Sequence, residues 1–201
     1  MRRIVKDPNS EIIAQSLSYK EGNSHNNSRI SDILFVEQFG FCAYTEEYLG
    51  RADAKDIEHF NPNLKGTEED SYNNWYLVKH QWNKEKSTKW NNDILYPTAE
   101  DFETRIVYDN GDYRLADKND VQADNLIKLI KLDDLILADE RKRYINRKRN
   151  EIEKFNETPE DFFKTLIEQS IEQIKYLRAI NEEFNIDIIE LIEQNLQNHK
   201  S

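Results

Sequence analysis

Apolar positions change their spacing along the chain, and the changes divide it. Around Ser10 to Ser18 they recur at helical intervals and predict a short first helix, while Gly22 to Arg29, GNSHNNSR, is polar and turn-rich and predicts a loop. A second helix is expected after it, with Ser28 as its cap and Ile30, Ile33, Leu34 and the stretch from Val36 to Phe41 as apolar cover. From Cys42 to Lys79 the helical interval disappears. Short apolar pieces, FCAY, DIEHF and WYLV, alternate with segments rich in Gly, Asn, Asp and Pro, which predicts brief strands joined by ordered loops. Gln81 to Asn91 then reads as one polar helix carrying Asn83, Lys84, Lys86 and Lys89.

Beyond Pro97 the pattern changes again. Arg105 to Tyr108 and Tyr113 to Leu115 flank Asp109-Asn110-Gly111-Asp112, and Asn-Gly tolerates the positive φ angles of a type I′ turn, so a hairpin is expected. From Val121 the chain reads as helical, with Leu126, Leu129, Ile130, Ile136 and Leu137 as a buried stripe. Thr158-Pro159-Glu160-Asp161 starts a further helix, since Thr can accept an amide hydrogen bond and Pro is tolerated at the first helical position. Phe163, Leu166, Ile167, Ile171, Ile174 and Leu177 keep one side apolar, and Ile186 to Leu196 adds a last helix. The expected fold is α+β, mostly helical, with a small ββα unit, a hairpin and a C-terminal helical region. Two units are expected, 1–96 and 97–201.

Charge and cysteine content narrow the function classes. The formal net charge of −11 repels a polyanion at long range, which argues against a simple nucleic-acid-binding module. The acidity lies mostly late: 12 basic and 15 acidic residues precede Pro97, and 16 and 24 follow. A single cysteine, Cys42, excludes an internal disulfide and an all-cysteine zinc site within the chain, and fits a reducing compartment. The start, MRRIVKDP, has no apolar stretch behind its basic residues, and no segment approaches the roughly 18 apolar residues of a membrane span. The expectation is a soluble, cytoplasmic protein without membrane contact.

The chemistry concentrates between Asp56 and Trp90. A hard divalent cation takes oxygen ligands and keeps several waters, so one carboxylate and one amide oxygen suffice when a substrate phosphate completes the shell, and Glu58 and Asn83 can supply them. Hydrolysis also needs a base that titrates near neutrality, and His59 meets that requirement. Neighbours on a strand point to opposite faces, so the strand must end or twist if Glu58 and His59 are to reach one phosphate; Asn61-Pro62 makes an end there plausible.

Through EHFNP, the Asn74-Trp75 step and WNKEK, this segment resembles the HNH, or ββα-metal, nuclease superfamily. The resemblance implies Glu58 and Asn83 as ligands of one Mg2+ or Mn2+ ion, His59 as general base, Asn74 tying down the loop between the strands, and Lys86 touching the phosphate backbone. Lys84 and Lys89 join Lys86 as expected nucleic-acid contacts. MRRI, QFGFCAY, the DNGDYRLA hairpin and the Leu-rich helix leading to Arg141 resemble the small HNH proteins of Septu-type antiphage systems, the PtuB family. That implies an ABC-type ATPase partner, PtuA-like, and an effector that cleaves DNA or RNA in antiviral defence. Many relatives carry two CxxC pairs around the motif; the matching positions are Cys42, Thr45, Lys79 and Trp82, so no structural zinc is expected, and Trp82, Trp75, Phe41 and Tyr44 are expected to close the unit by apolar packing.

Two other readings stand beside this one. A catalytically degenerate HNH-fold adaptor would keep the fold for binding, and a ribonuclease acting on structured RNA would keep the chemistry. His25, His80 and His199 read as structural or solvated, and Cys42 as a small core residue. The basic run Arg141-Lys142-Arg143 with Arg147-Lys148-Arg149 reads as a solvated face balancing Asp133, Asp134, Asp139 and Glu140, with phosphate binding as the alternative.

Overall fold

A computed structural model describes residues 1–198; His199 lies outside the described residues. Helix α1 (Glu11–Ala14) begins where the Ser10 side chain accepts the Ile12 amide. Helix α2 (Ser24–Glu37) starts inside the segment expected to be a loop, with Asn23 rather than Ser28 as its cap. The polarity of GNSHNNSR has a physical use there. Asn23 accepts the Asn26 amide, and the Asn26 and Asn27 side chains donate to the Ser18 and Lys20 carbonyls, so the polar residues fasten the helix start to the chain before it. Ile30 and Leu34 are buried, whereas Val36 is exposed. Phe39 and Gly40 then end the helix at positive φ, and a Cβ on Gly40 would lie 2.6 Å from the Tyr48 ring.

The first ribbon pairs β1 (Lys55–His59) antiparallel with β2 (Trp75–Lys79), from Lys55 opposite Lys79 to His59 opposite Trp75. FCAY forms no strand; it contributes an isolated bridge between Phe41 and Tyr48. On the far side of β2 the Gln38 amide meets both backbone groups of Leu77 at 2.8 Å, and the Ala43 N–H adds a bond to the Leu77 carbonyl. Helix α3 (His80–Lys86) follows directly and ends earlier than the expected Asn91, because Ser87 turns to positive φ.

Helix α4 (Phe102–Arg105) leads into the second ribbon, β3 (Ile106–Asp109) and β4 (Asp112–Leu115), joined through Asn110 and Gly111, both at positive φ as a type I′ turn requires. Five α-helices follow among the described residues: α5 (Val121–Ile130), α6 (Leu135–Phe155), α7 (Pro159–Ser170), α8 (Leu177–Phe184) and α9 (Ile188–Asn198). Thr158 caps α7 as its sequence predicts, accepting the Asp161 amide. Ile136 departs from the expected stripe: it is exposed on the first turn of α6, where Leu137 turns inward.

The chain is therefore a mixed α+β protein, about half helical, with two small hairpins and a helical C-terminal region. Two apolar clusters hold it. The first gathers α1, α2, both ribbons and α5, including Tyr44, Trp75 and half-buried Trp82; the second gathers α6 to α9 with Phe41. The clusters divide after Leu132, so the second hairpin and α5 pack with the N-terminal unit rather than beyond a break at 96/97. Among the described residues no helix is long and apolar enough to cross a membrane.

Candidate active site

Strand β1 ends at His59, and that end solves the problem of neighbouring side chains pointing apart. Glu58 and His59 are both buried, and both line one open cleft that Asn83 on α3 also faces, with Tyr19, Lys55, Lys65 and Lys84 around it. The strand supplies the acid and imidazole, and the helix returns alongside it with the amide.

Glu58 sits against Lys86, whose ammonium is 2.6 Å from its Oε1 and also donates to the His59 carbonyl at 3.2 Å. Burial pushes the Glu58 carboxyl up to about 7, and Lys86 offsets this only in part. Lys86 is thus an interior residue, 2% exposed, and not the surface phosphate contact expected from the motif. Lys84 does reach the cleft, while Lys89 stands outside it, bonding the Glu85 carbonyl.

Asn83 is held by a residue that the motif reading did not include. Its Nδ2 donates to Asp56 Oδ2 at 2.8 Å, and the same oxygen lies 2.8 Å from His80 Nδ1. With the nitrogen committed, Asn83 Oδ1 is the end without a partner among the described residues. His80, read as structural or solvated, is an exposed neighbour of this pair.

His59 Nε2 lies 3.1 Å from Asp70 Oδ2 in an oblique contact, and Tyr19 meets the ring edge-on at 4.5 Å. Burial holds the imidazole below its ordinary value, Asp70 opposes that, and the Lys65 charge reinforces it. The ring is therefore neutral near pH 7. Asn74 is away from the cleft. Its side chain accepts from the Asn61 N–H at 2.7 Å and donates to the Asn61 carbonyl at 3.1 Å and to Asp70 at 3.0 Å, stitching the start of the loop to its end.

The four positions matching the CxxC pairs also come together in part. Cys42 Sγ accepts the Lys79 amide at 3.4 Å, Thr45 accepts the Glu47 amide, and the Lys79 ammonium is 2.7 Å from Glu47. An ion pair and a buried thiol occupy this corner. On α6, Arg141 is buried against the Gly111 and Leu132 carbonyls, so it is a structural anchor and no part of a solvated face. Arg143 and Arg149 pair with Asp139 and Glu183.

Asp56, Asp70, Tyr19 and Lys65 are the site residues that sequence reasoning missed. Asp56 had a signal, since it stands two residues before Glu58 and so shares its face of the strand. Asp70 had none, because GTEEDS has no periodicity. Among the described residues no group of three or more His, Cys, Asp or Glu side chains is disposed to hold a metal ion. No family model, curated protein or solved structure matches the chain.

Proposed function

We propose that the chain is a metal-dependent endonuclease of the HNH type that hydrolyses phosphodiester bonds in nucleic acid, DNA being favoured. The observation that carries this reading is the convergence of a buried carboxyl group, a buried imidazole and an oriented amide oxygen on one cleft. Glu58 and Asn83 would hold one Mg2+ or Mn2+ ion. Their chemistry suits such a cation because the Asn83 amide shows its oxygen end and Glu58 brings a carboxyl group to the same cleft. A bound cation would supply charge stabilisation at the reacting phosphate.

The protein's own groups do the rest. His59 takes a proton from the attacking water, for which its neutral state suits it. Lys55, Lys65 and Lys84 set positive charge around a cleft in a chain of net charge −11, which favours phosphate locally while the surface as a whole repels it. That contrast supports delivery of substrate by a partner, and an ABC-type ATPase in a cytoplasmic antiphage complex is the partner we propose.

One observation favours a second reading, a catalytically degenerate adaptor: the Lys86 ammonium already stands at Glu58, where a cation would bind. A nicking assay on supercoiled DNA and on structured RNA, with Mg2+, Mn2+ or chelator, and with and without the ATPase, separates the readings. Metal-dependent cleavage abolished by His59→Ala supports the nuclease, and cleavage of RNA alone makes it a ribonuclease. Inactivity of the complex under every condition, with ATPase binding retained, supports the adaptor.

A further inference from the structure

Asp70 is buried, its side chain 4% exposed, and its two oxygens face different groups. Oδ1 accepts from Asn74 Nδ2 at 3.0 Å and from the Trp75 indole N–H at 2.8 Å, which fixes the carboxylate relative to the start of β2. Oδ2 lies 3.1 Å from His59 Nε2, off the direction of a ring N–H hydrogen bond. Asn74 in turn grips both backbone groups of Asn61, two residues after His59, so one rigid circuit joins the base to the loop that carries its partner.

We propose that Asp70 is a positioning residue that selects the tautomer of His59, an assignment that rests on reading His59 as the base. A carboxylate oxygen facing a ring nitrogen favours a proton there and repels a lone pair. Nε2 carries the hydrogen, and Nδ1, which has no partner among the described residues, keeps the lone pair that accepts a proton from water. Tyr19 edge-on and Trp75 behind restrict rotation of the ring, so the wrong tautomer is not rescued by a flip. The loop residue thus acts through His59 and touches no reacting atom.

Asp70→Asn tests this sharply. The amide oxygen can still accept from Asn74 and Trp75, but its nitrogen then faces Nε2 as a donor and calls for the opposite tautomer. Nitrogen-15 spectra of the His59 ring at pH 8 should show the hydrogen on Nε2 in the native protein and a shift toward Nδ1 in Asp70→Asn, with the melting temperature little changed. For metal-dependent cleavage, kcat should fall by about 100-fold or more, with KM within about twofold. A native ring protonated on Nδ1, or an Asp70→Asn protein with unchanged tautomer and kcat, overturns the assignment. Should the native protein cleave nothing, the spectra still decide the tautomer, so the loss of the nuclease reading and the loss of this one are told apart.

Discussion

Two buried glutamates, Glu46 and Glu58, lie in opposite electrostatic settings. Glu46 stands where the N-terminal unit meets α8. It accepts the Arg2 amide, the Arg178 amide at 3.3 Å and the Tyr113 hydroxyl at 3.4 Å, with the Met1 amino group 3.5 Å away. Burial alone would raise its carboxyl, but those charges and donors outweigh burial and hold it below the ordinary value. Glu58 has one ammonium, and burial wins. A carboxylate gripped by four donors is a fastener, while one with a single partner at the wall of a cleft retains capacity for another cation.

Substitutions can break this comparison. The largest effect should be on chemistry: His59→Ala and Glu58→Gln should each lower metal-dependent cleavage by about 1000-fold with far-ultraviolet circular dichroism unchanged, although Glu58→Gln also lowers stability by leaving buried Lys86 without its counter-charge. Next, Glu46→Gln should cost about 2 kcal/mol in urea unfolding, because the Arg2 and Arg178 amides lose a charged acceptor and a new amide N–H is buried among them, while kcat of the folded fraction stays native. If Glu46→Gln abolished cleavage in folded protein, or Glu58→Gln unfolded the chain, the distinction between the two sites would fail. The pH dependence has a definite sign. Glu46 titrates lower in the folded chain than its unfolded value of 4.5, so its contribution is complete above that pH and fades as pH falls below it. The deficit of Glu46→Gln should therefore shrink in acid, as melts at pH 3.5 and 7 would show.

Smaller effects sharpen the site. Asp56→Ala frees the Asn83 amide to rotate, and Mn2+ affinity by calorimetry should drop about tenfold, as for loss of an outer partner at a metal ligand. An unchanged affinity would mean that Asp56 does not aim Asn83. Lys84→Ala should weaken DNA binding modestly and lower the salt slope by about one, without changing kcat. A native slope would remove Lys84 from the phosphate path.

Where the chain's own local chemistry decides an outcome, it was legible. Asn110-Gly111 specified the second hairpin, and Thr158 specified the start of α7, because each effect spans only a few residues. The acid, imidazole and amide were legible for the same reason: Glu58 and His59 are adjacent, and Asn83 follows at a fixed interval across one ribbon and helix. Tertiary partners were not. Lys86 reads as a surface cation until β1 folds over it, and Asp70 reads as loop until Asn74 and Trp75 give it direction. The start of α2 was hidden because Asn and Ser serve turns and caps equally well, and the choice is made by carbonyls at Ser18 and Lys20 that no periodicity reveals.

The Gln38 side chain has one more effect. By satisfying both the N–H and the carbonyl of Leu77, it gives β2 a stand-in for a third strand without the length of one. A neighbouring molecule therefore finds no vacant rung at that point, and growth of the ribbon into an intermolecular sheet is blocked there by a single amide.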